Sequence, residues 1–137
     1  AAQQTAPAIM DAASVQRLRD QLDSACGSGG EAAMEAARRI EAEVNLPPEV
    51  CAKARLDAFY EKVLELAEDS VVNIDKLEGL AALTSRLGLT AWQLRELQSE
   101  TGACEALVQR AAGGAESEEA DARARLEKAR AALLGEA

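Results

Sequence analysis

Apolar residues recur at every third or fourth position in one segment after another, and this spacing constrains the fold more than any other feature of the sequence. Leu77, Leu80, Leu83 and Leu87 follow it most closely. In an α-helix this spacing places side chains on one face, whereas a half-buried strand requires strict alternation. Glycine, proline and asparagine residues separate the periodic segments. The sequence therefore predicts an all-α fold.

Breaks in the pattern predict five to seven helices. Gly27-Ser28-Gly29-Gly30 ends the first segment and is expected to act as a flexible joint, and Asn45-Leu46-Pro47-Pro48 ends the second. Thr90 with Gln93 forms a capping box, and Gly102 is expected to kink or end the helix that follows. Helices are predicted at residues 11–26, 31–44, 48–69 and 117–134, with two more starting at Asp75 and Thr90.

A joint between helices occurs twice, 43 residues apart. Val44-Asn45-Leu46-Pro47 and Leu87-Gly88-Leu89-Thr90 each place Asn or Gly, then Leu, before a residue that starts a helix. Asn and Gly tolerate the left-handed conformation of a Schellman ending, in which the following Leu folds back onto the last turn. Helix pairs spaced near 40 residues fall in the range of HEAT-like repeats. The sequence predicts an elongated stack of antiparallel helical hairpins; the alternative is two ordinary hairpins that share this turn chemistry.

Alanine supplies 31 of the 66 hydrophobic residues, so large apolar side chains are scarce. This composition favours helices that approach closely over alanine faces rather than a thick core. The last helix has few large apolar residues, and we expect it to pack weakly or to extend, with ion pairs Glu119–Arg123 and Asp121–Arg125 along its surface. The predicted organisation is a flexible leader over residues 1–10, a helical-repeat domain over 11–112 and a charged C-terminal helix over 113–137.

The net charge of −9 argues against nucleic acid as a partner, because phosphate binding requires a concentrated basic surface. The longest basic run is Arg38-Arg39. An acidic surface instead suits a basic partner. No apolar run approaches the roughly 20 residues that span a bilayer. We therefore expect any membrane anchor to lie outside these residues.

The sequence contains no recognisable combination of the residues that commonly carry out catalysis. Histidine is absent, which removes the commonest general base and metal ligand, and no phosphate-binding loop or nucleophile motif occurs. Cys26, Cys51 and Cys104 are widely spaced and are expected to be small buried thiols in a reducing compartment. We predict no enzymatic activity, no catalytic residue, no cofactor and no metal.

Asp69, Asn73 and Asp75 form a carboxylate-rich joint with a partial likeness to a calcium loop. The central glycine and the bidentate glutamate of an EF-hand are missing at their places. Helix capping by Asn73 and Asp75 is therefore the favoured interpretation. Glu78 lies three residues after Asp75, which predicts Asp75 as the N-cap of the next helix.

A long helix from Leu56 to Asp69 leads through a short apolar turn to IDKLEGLAALTSRLGLTAWQLREL at residues 74–97. Together with the Val44–Pro47 joint, residues 40–98 resemble the recurring helical unit of the large stromal scaffold subunit of the chloroplast inner-envelope import translocon. In that family a leucine-spaced helix ends in a Leu-Gly-Leu-like or similarly apolar joint before the next cap.

The resemblance implies an elongated rod of HEAT-like helices on the stromal side of the chloroplast inner envelope, anchored by N-terminal membrane helices outside this sequence. It also implies contacts with incoming transit peptides and stromal chaperones. The family supplies no catalytic motif, so no residue here inherits a site. A stand-alone helical adaptor, a homo-oligomerising module and a tellurite-resistance-type helical domain are the alternatives.

Transit peptides are basic and poor in acidic residues, so they are expected to bind acidic sides of the helices. Trp92 is interpreted first as a core or staple residue beside Leu89, and second as an apolar peptide anchor. The acidic sides are those of the third and last helices, which bear Glu61, Glu65 and Glu68, and Glu116, Glu118 and Glu119. The predicted partner-binding residues are Glu61, Glu65, Glu68 and Trp92.

Overall fold

A computed structural model describes residues 12–114 and 120–135, and this part of the chain is all-helical. Seven α-helices account for 84% of it, and none of it forms a strand, which confirms the predicted fold class. The predicted leader over residues 1–10 lies outside the described residues. The helices are α1 (Ala12–Ala25), α2 (Gly30–Val44), α3 (Pro48–Ala67), α4 (Ile74–Arg86), α5 (Ala91–Thr101), α6 (Ala103–Gly114) and α7 (Ala120–Leu134).

The chain forms two compact units, Ala1–Ala58 and Phe59–Ala137, and the boundary falls within α3. In the first unit α1 packs against α2. Leu18 and Leu22 are fully buried on α1, and Met34 is fully buried on α2. Replacing a side chain of this kind by alanine typically costs about 2–5 kcal/mol. The predicted apolar stripes therefore form the core of this hairpin.

The turn between α1 and α2, predicted as a flexible joint, is closed by backbone hydrogen bonds. The Ser24 carbonyl accepts hydrogen bonds from the backbone N–H groups of Gly27 at 2.9 Å and of Gly29 at 3.0 Å. A Cβ atom at Gly29 would collide with the Ser24 hydroxyl and lie 2.8 Å from the Ala33 Cβ. Glycine is thus required here by close packing of the two helices.

The first predicted joint has the expected left-handed turn. Asn45 lies at φ 58° and ψ 47°, which confirms the prediction for this residue. The backbone N–H groups of Asn45 and Leu46 both donate to the Glu41 carbonyl. Leu46 is buried, as the second residue of a Schellman-type ending commonly is. The left-handed turn therefore ends α2 with two backbone hydrogen bonds to one carbonyl.

An ion pair reinforces this first joint. The Arg55 Nη2 and Nε atoms of α3 lie 2.6 and 3.0 Å from the two carboxylate oxygens of Glu41 on α2. Less than a quarter of either side chain is exposed, so solvent screens the pair less than a surface pair. Glu41 thus holds the joint through both its carbonyl and its carboxylate.

The second predicted joint completes the Schellman pattern. Gly88 lies at φ 69°, confirming the second left-handed prediction. The Leu89 N–H donates to the Thr84 carbonyl at 2.9 Å, and the Gly88 N–H donates to the Ser85 carbonyl at 3.1 Å. These are the two hydrogen bonds that define the motif.

The helix after this joint starts with the predicted capping box. The Gln93 N–H donates to the Thr90 hydroxyl at 3.1 Å, and the Thr90 N–H donates to the Gln93 side-chain oxygen at 3.0 Å. Gly102, at φ 66°, ends α5 instead of kinking it, because a new helix starts at Ala103. Both ends of α5 are therefore fixed by local chemistry.

The last helix packs more closely than its sparse apolar residues suggest. In the second unit α7 contacts α4, α5 and α6. Leu133, Leu134 and Ala129 of α7 are buried. A Cβ atom at Gly135 would lie 2.5 Å from the Ala91 carbonyl oxygen, so the end of α7 comes directly against the start of α5. The expectation of weak packing is wrong, because the small alanine and glycine residues let α7 approach its neighbouring helices closely where large side chains are absent.

Candidate binding surfaces

The outward face of α3 combines carboxylates with one apolar side chain. Glu61, Glu65 and Glu68 are exposed; Glu61 and Glu65 lie four residues apart on one side of α3, and Glu68 directly follows its last residue, Ala67. Leu64 lies on the same side and is 42% exposed. The Lys62 ammonium lies 3.2 Å from the Glu65 carboxylate, which partly offsets the charge of this face. We call Glu61, Leu64, Glu65 and Glu68 the α3 face.

Trp92 is the most exposed of the large apolar residues that the structure describes. It lies in the first turn of α5 and is 62% exposed. Leu94 and Leu97, on the opposite side of the same helix, are buried. The first interpretation of Trp92, as a core or staple residue, is wrong. Its role as a peptide anchor stays a prediction.

Two further carboxylates continue the outward side of α5. Glu96 and Glu100 follow Trp92 at intervals of four residues, and both are exposed. Sequence reasoning missed them, although their spacing of four residues from Trp92 could have indicated them. We call Trp92, Glu96 and Glu100 the α5 face.

Other carboxylates of the second unit form ion pairs between helices on its surface. The Arg125 Nη2 atom lies 2.6 Å from the Asp75 carboxylate and 2.6 Å from that of Glu78. The hydrogen bonds from Arg125 lower the pKa of Glu78, and these carboxylates raise the pKa of Arg125. Arg125 thus ties α7 to α4 instead of pairing with Asp121 on its own helix. The other predicted pair includes Glu119, which lies outside the described residues, as do Glu116 and Glu118.

The acidic joint before α4 is held by side chains of the protein. Asn73 is the N-cap, since its side-chain oxygen accepts from the Lys76 N–H at 2.9 Å. Asp75, predicted to fill that role, lies in the first turn and binds Arg125. The helix starts earlier because Ile74 is buried in its first turn.

Asp69 of the same joint is bound by a lysine. The Lys76 ammonium lies 2.8 Å from the Asp69 carboxylate, and this hydrogen bond is the main cause of the lowered pKa of Asp69. Arg110 of α6 donates to the Ala67 and Asp69 carbonyls at the end of α3. Among residues 12–114 and 120–135, no group of three His, Cys, Asp or Glu side chains is placed to hold a metal ion.

The three cysteines have different surroundings. Cys104 is buried, as predicted, and burial raises the pKa of its thiol to about 11. Cys26 and Cys51 are only half-buried, so the prediction is wrong for these two. Burial, followed by the charge of Glu41, raises the pKa of Cys51. A raised pKa keeps Cys51 and Cys104 in the thiol form, which is a poor nucleophile.

A cleft of about 310 Å³ lies between α4 and α7. Four of its eight lining residues are alanines, and the others are Ser85, Lys128 and the Glu78–Arg125 pair. Glu78 and Arg125 pair with each other, which leaves fewer polar groups in the cleft to orient a small molecule. The α3 and α5 faces are the stronger candidates for binding.

Comparisons with protein families, with curated proteins and with solved structures find no match to this chain. Across the helices that the structure describes, none is both long enough and apolar enough to cross a membrane.

Proposed function

We propose that this chain is a non-enzymatic scaffold segment of the chloroplast protein import machinery. In this role it faces the stroma at the inner envelope and contacts transit peptides and chaperones. The resemblance of residues 40–98 to the translocon scaffold supports the location. The exposed α3 face supports the mode of binding.

The α3 face is the observation that carries the proposal. Its three carboxylates offer attraction to basic side chains, while Leu64 offers an apolar contact among them. An amphipathic basic peptide presents the complementary pair of properties. Arg125, Lys76 and Arg55 pair with other carboxylates within each unit.

The proposal includes a repeat architecture, in which antiparallel hairpins form an elongated HEAT-like stack. The matching left-handed endings at Asn45 and Gly88 support it. Small-angle scattering tests it directly, since a compact chain of this length has a radius of gyration of about 14 Å. An elongated stack requires a clearly larger value, and a value near 14 Å would contradict the repeat architecture.

Binding of a fluorescently labelled transit peptide tests the function. We expect affinity to fall steeply as salt rises, because the Debye length shrinks from about 30 Å at 0.01 M to about 8 Å at physiological ionic strength. The joint replacement of Glu61, Glu65 and Glu68 by Gln should lower affinity further at low salt.

The matched control replaces Glu31, Glu35 and Glu43 of α2, which are exposed, by Gln. Both triple variants carry the same net charge, so a difference between them reports position and not total charge. Equal binding by the parent and the α3 variant, with no salt dependence, would contradict the proposed electrostatic capture.

A further inference from the structure

The α5 face presents an aromatic ring and two carboxylates in line. Trp92, Glu96 and Glu100 are four residues apart and span about 12 Å along the helix axis. The capping box at Thr90 fixes the first turn on which Trp92 stands. An aromatic residue on a rigid support loses little conformational freedom when a partner covers it.

The core of the second unit does not use Trp92. Leu94 and Leu97 supply the buried side of α5, while 62% of the tryptophan stays exposed. Tryptophan is among the residues most enriched at the energetic centres of protein interfaces. This exposure therefore favours a role in contacting another molecule.

The carboxylates beside the Trp92 ring determine which kind of partner the α5 face can bind. With the residues that the structure describes, neither Glu96 nor Glu100 forms an ion pair, in contrast to Glu78 and Glu105. Guanidinium groups stack on indole rings and donate to carboxylates in the same geometry. An arginine over Trp92 would thus reach Glu96 one turn along, and a second basic residue would reach Glu100.

We propose that the α5 face binds an amphipathic helical segment of a partner polypeptide that carries arginines at four-residue spacing. One guanidinium stacks on Trp92 and pairs with Glu96, and the next basic side chain pairs with Glu100. This inference rests on the proposed function, to which it adds a second binding helix and a required ligand chemistry.

Trp92 is the only tryptophan in the chain, so its fluorescence reports directly on this surface. The probe is a synthetic tryptophan-free helix with arginines every four residues and no acidic residue. We expect its titration to shift Trp92 emission to shorter wavelength and to saturate. A peptide with glutamine in place of arginine should cause no shift.

Two matched variants assign the site. The double substitution of Glu96→Gln and Glu100→Gln should lower the affinity obtained from the emission titration by about fivefold to tenfold, as expected for the loss of two exposed ion pairs. Glu35→Gln with Glu43→Gln makes the same change of net charge at exposed positions of α2, which belong to neither face, and should leave the emission titration unchanged. Trp92→Ala, checked for retained helicity by circular dichroism, should weaken binding of a labelled probe by about tenfold.

Each other result counts against the inference in a recognisable way. Binding of the arginine helix without an emission shift, or unchanged affinity in the α5 variants, overturns it. A concentration-dependent shift without peptide would show that a second copy of this chain covers Trp92, which also overturns it. A transit peptide that still binds and responds to the α3 substitutions would leave the proposed function standing in all these cases.

Discussion

The joints before α3 and before α5 share one backbone turn but are stabilised differently. At the first, Asn45 is left-handed, and the long-range pair between Glu41 and Arg55 ties the two helices together. At the second, Gly88 is left-handed, and the neighbouring capping box secures the start of the next helix. The repeated pattern of Asn or Gly followed by Leu thus specifies the turn, whereas the surrounding residues determine which interactions stabilise it.

The difference has a consequence for stability. The second joint depends on hydrogen bonds between residues close in sequence, so it should tolerate changes elsewhere in its unit. The first depends on a partner 14 residues away, so it requires α2 and α3 to be in place. Substitutions at the two joints should therefore differ in how much they change the free energy of unfolding. They should also differ in how far that change depends on the rest of the unit.

The largest effect is expected at Gly88. Gly88→Val forces a β-branched residue into the left-handed region, at a cost of about 2 kcal/mol in free energy of unfolding. Urea unfolding followed by circular dichroism measures it. A variant that unfolds with the parent would show that this turn does not hold the joint.

Gly79 provides the matched control for Gly88. It lies within α4, and a Cβ atom there meets nothing within 4 Å. Gly79→Ala should therefore stabilise the protein by about 0.5–1 kcal/mol, whereas Gly88→Ala should destabilise it by about 1 kcal/mol. Changes of the same sign at the two glycines would contradict the assigned backbone conformations.

A smaller effect is expected from breaking the ion pair of the first joint. Arg55→Gln leaves the Glu41 carboxylate half-buried without its bidentate partner, which should cost about 1–2 kcal/mol. Lys53→Gln removes a more exposed pair with Asp57 on the same helix and should cost at most about 0.5 kcal/mol. Equal costs in urea unfolding would mean that Arg55 contributes no more than a surface charge.

The smallest effect is expected from Asn45→Gly. Glycine adopts the left-handed conformation at least as easily as asparagine, so the free energy of unfolding should change by no more than about 0.5 kcal/mol. Asn45→Ala should instead cost about 1 kcal/mol. If both substitutions destabilise equally, the asparagine side chain, and not its backbone conformation, would be what the joint requires.

The sequence predicted those features that depend on neighbouring residues. The ends at Asn45 and Gly88 and the Thr90–Gln93 capping box follow from local backbone preferences. Leu77, Leu80, Leu83 and Leu87 were identified as core because helical spacing places them on one face, and all four are buried. Short-range chemistry was sufficient in each case.

Features that depend on distant partners were not predictable in this way. Asn73, not Asp75, is the N-cap of α4, and Asp75 instead binds Arg125, 50 residues away. The same long-range pairing removed Arg125 from its predicted partner on α7. Trp92 was misassigned although the spacing of Leu94 and Leu97 already marks the buried side of α5, and its 62% exposure shows that the core does not use it.

Each joint is followed by a helix with an exposed face of apolar and acidic side chains, α3 after the first and α5 after the second. The central claim is that these two faces, presented by the joints, capture a basic amphipathic peptide. Nitrogen-15 correlation spectra recorded during titration with a transit peptide test it most directly. We predict that shifted amides cluster at residues 61–68 and 92–100, whereas shifts confined to the α4–α7 cleft, or no shifts at all, would contradict the claim.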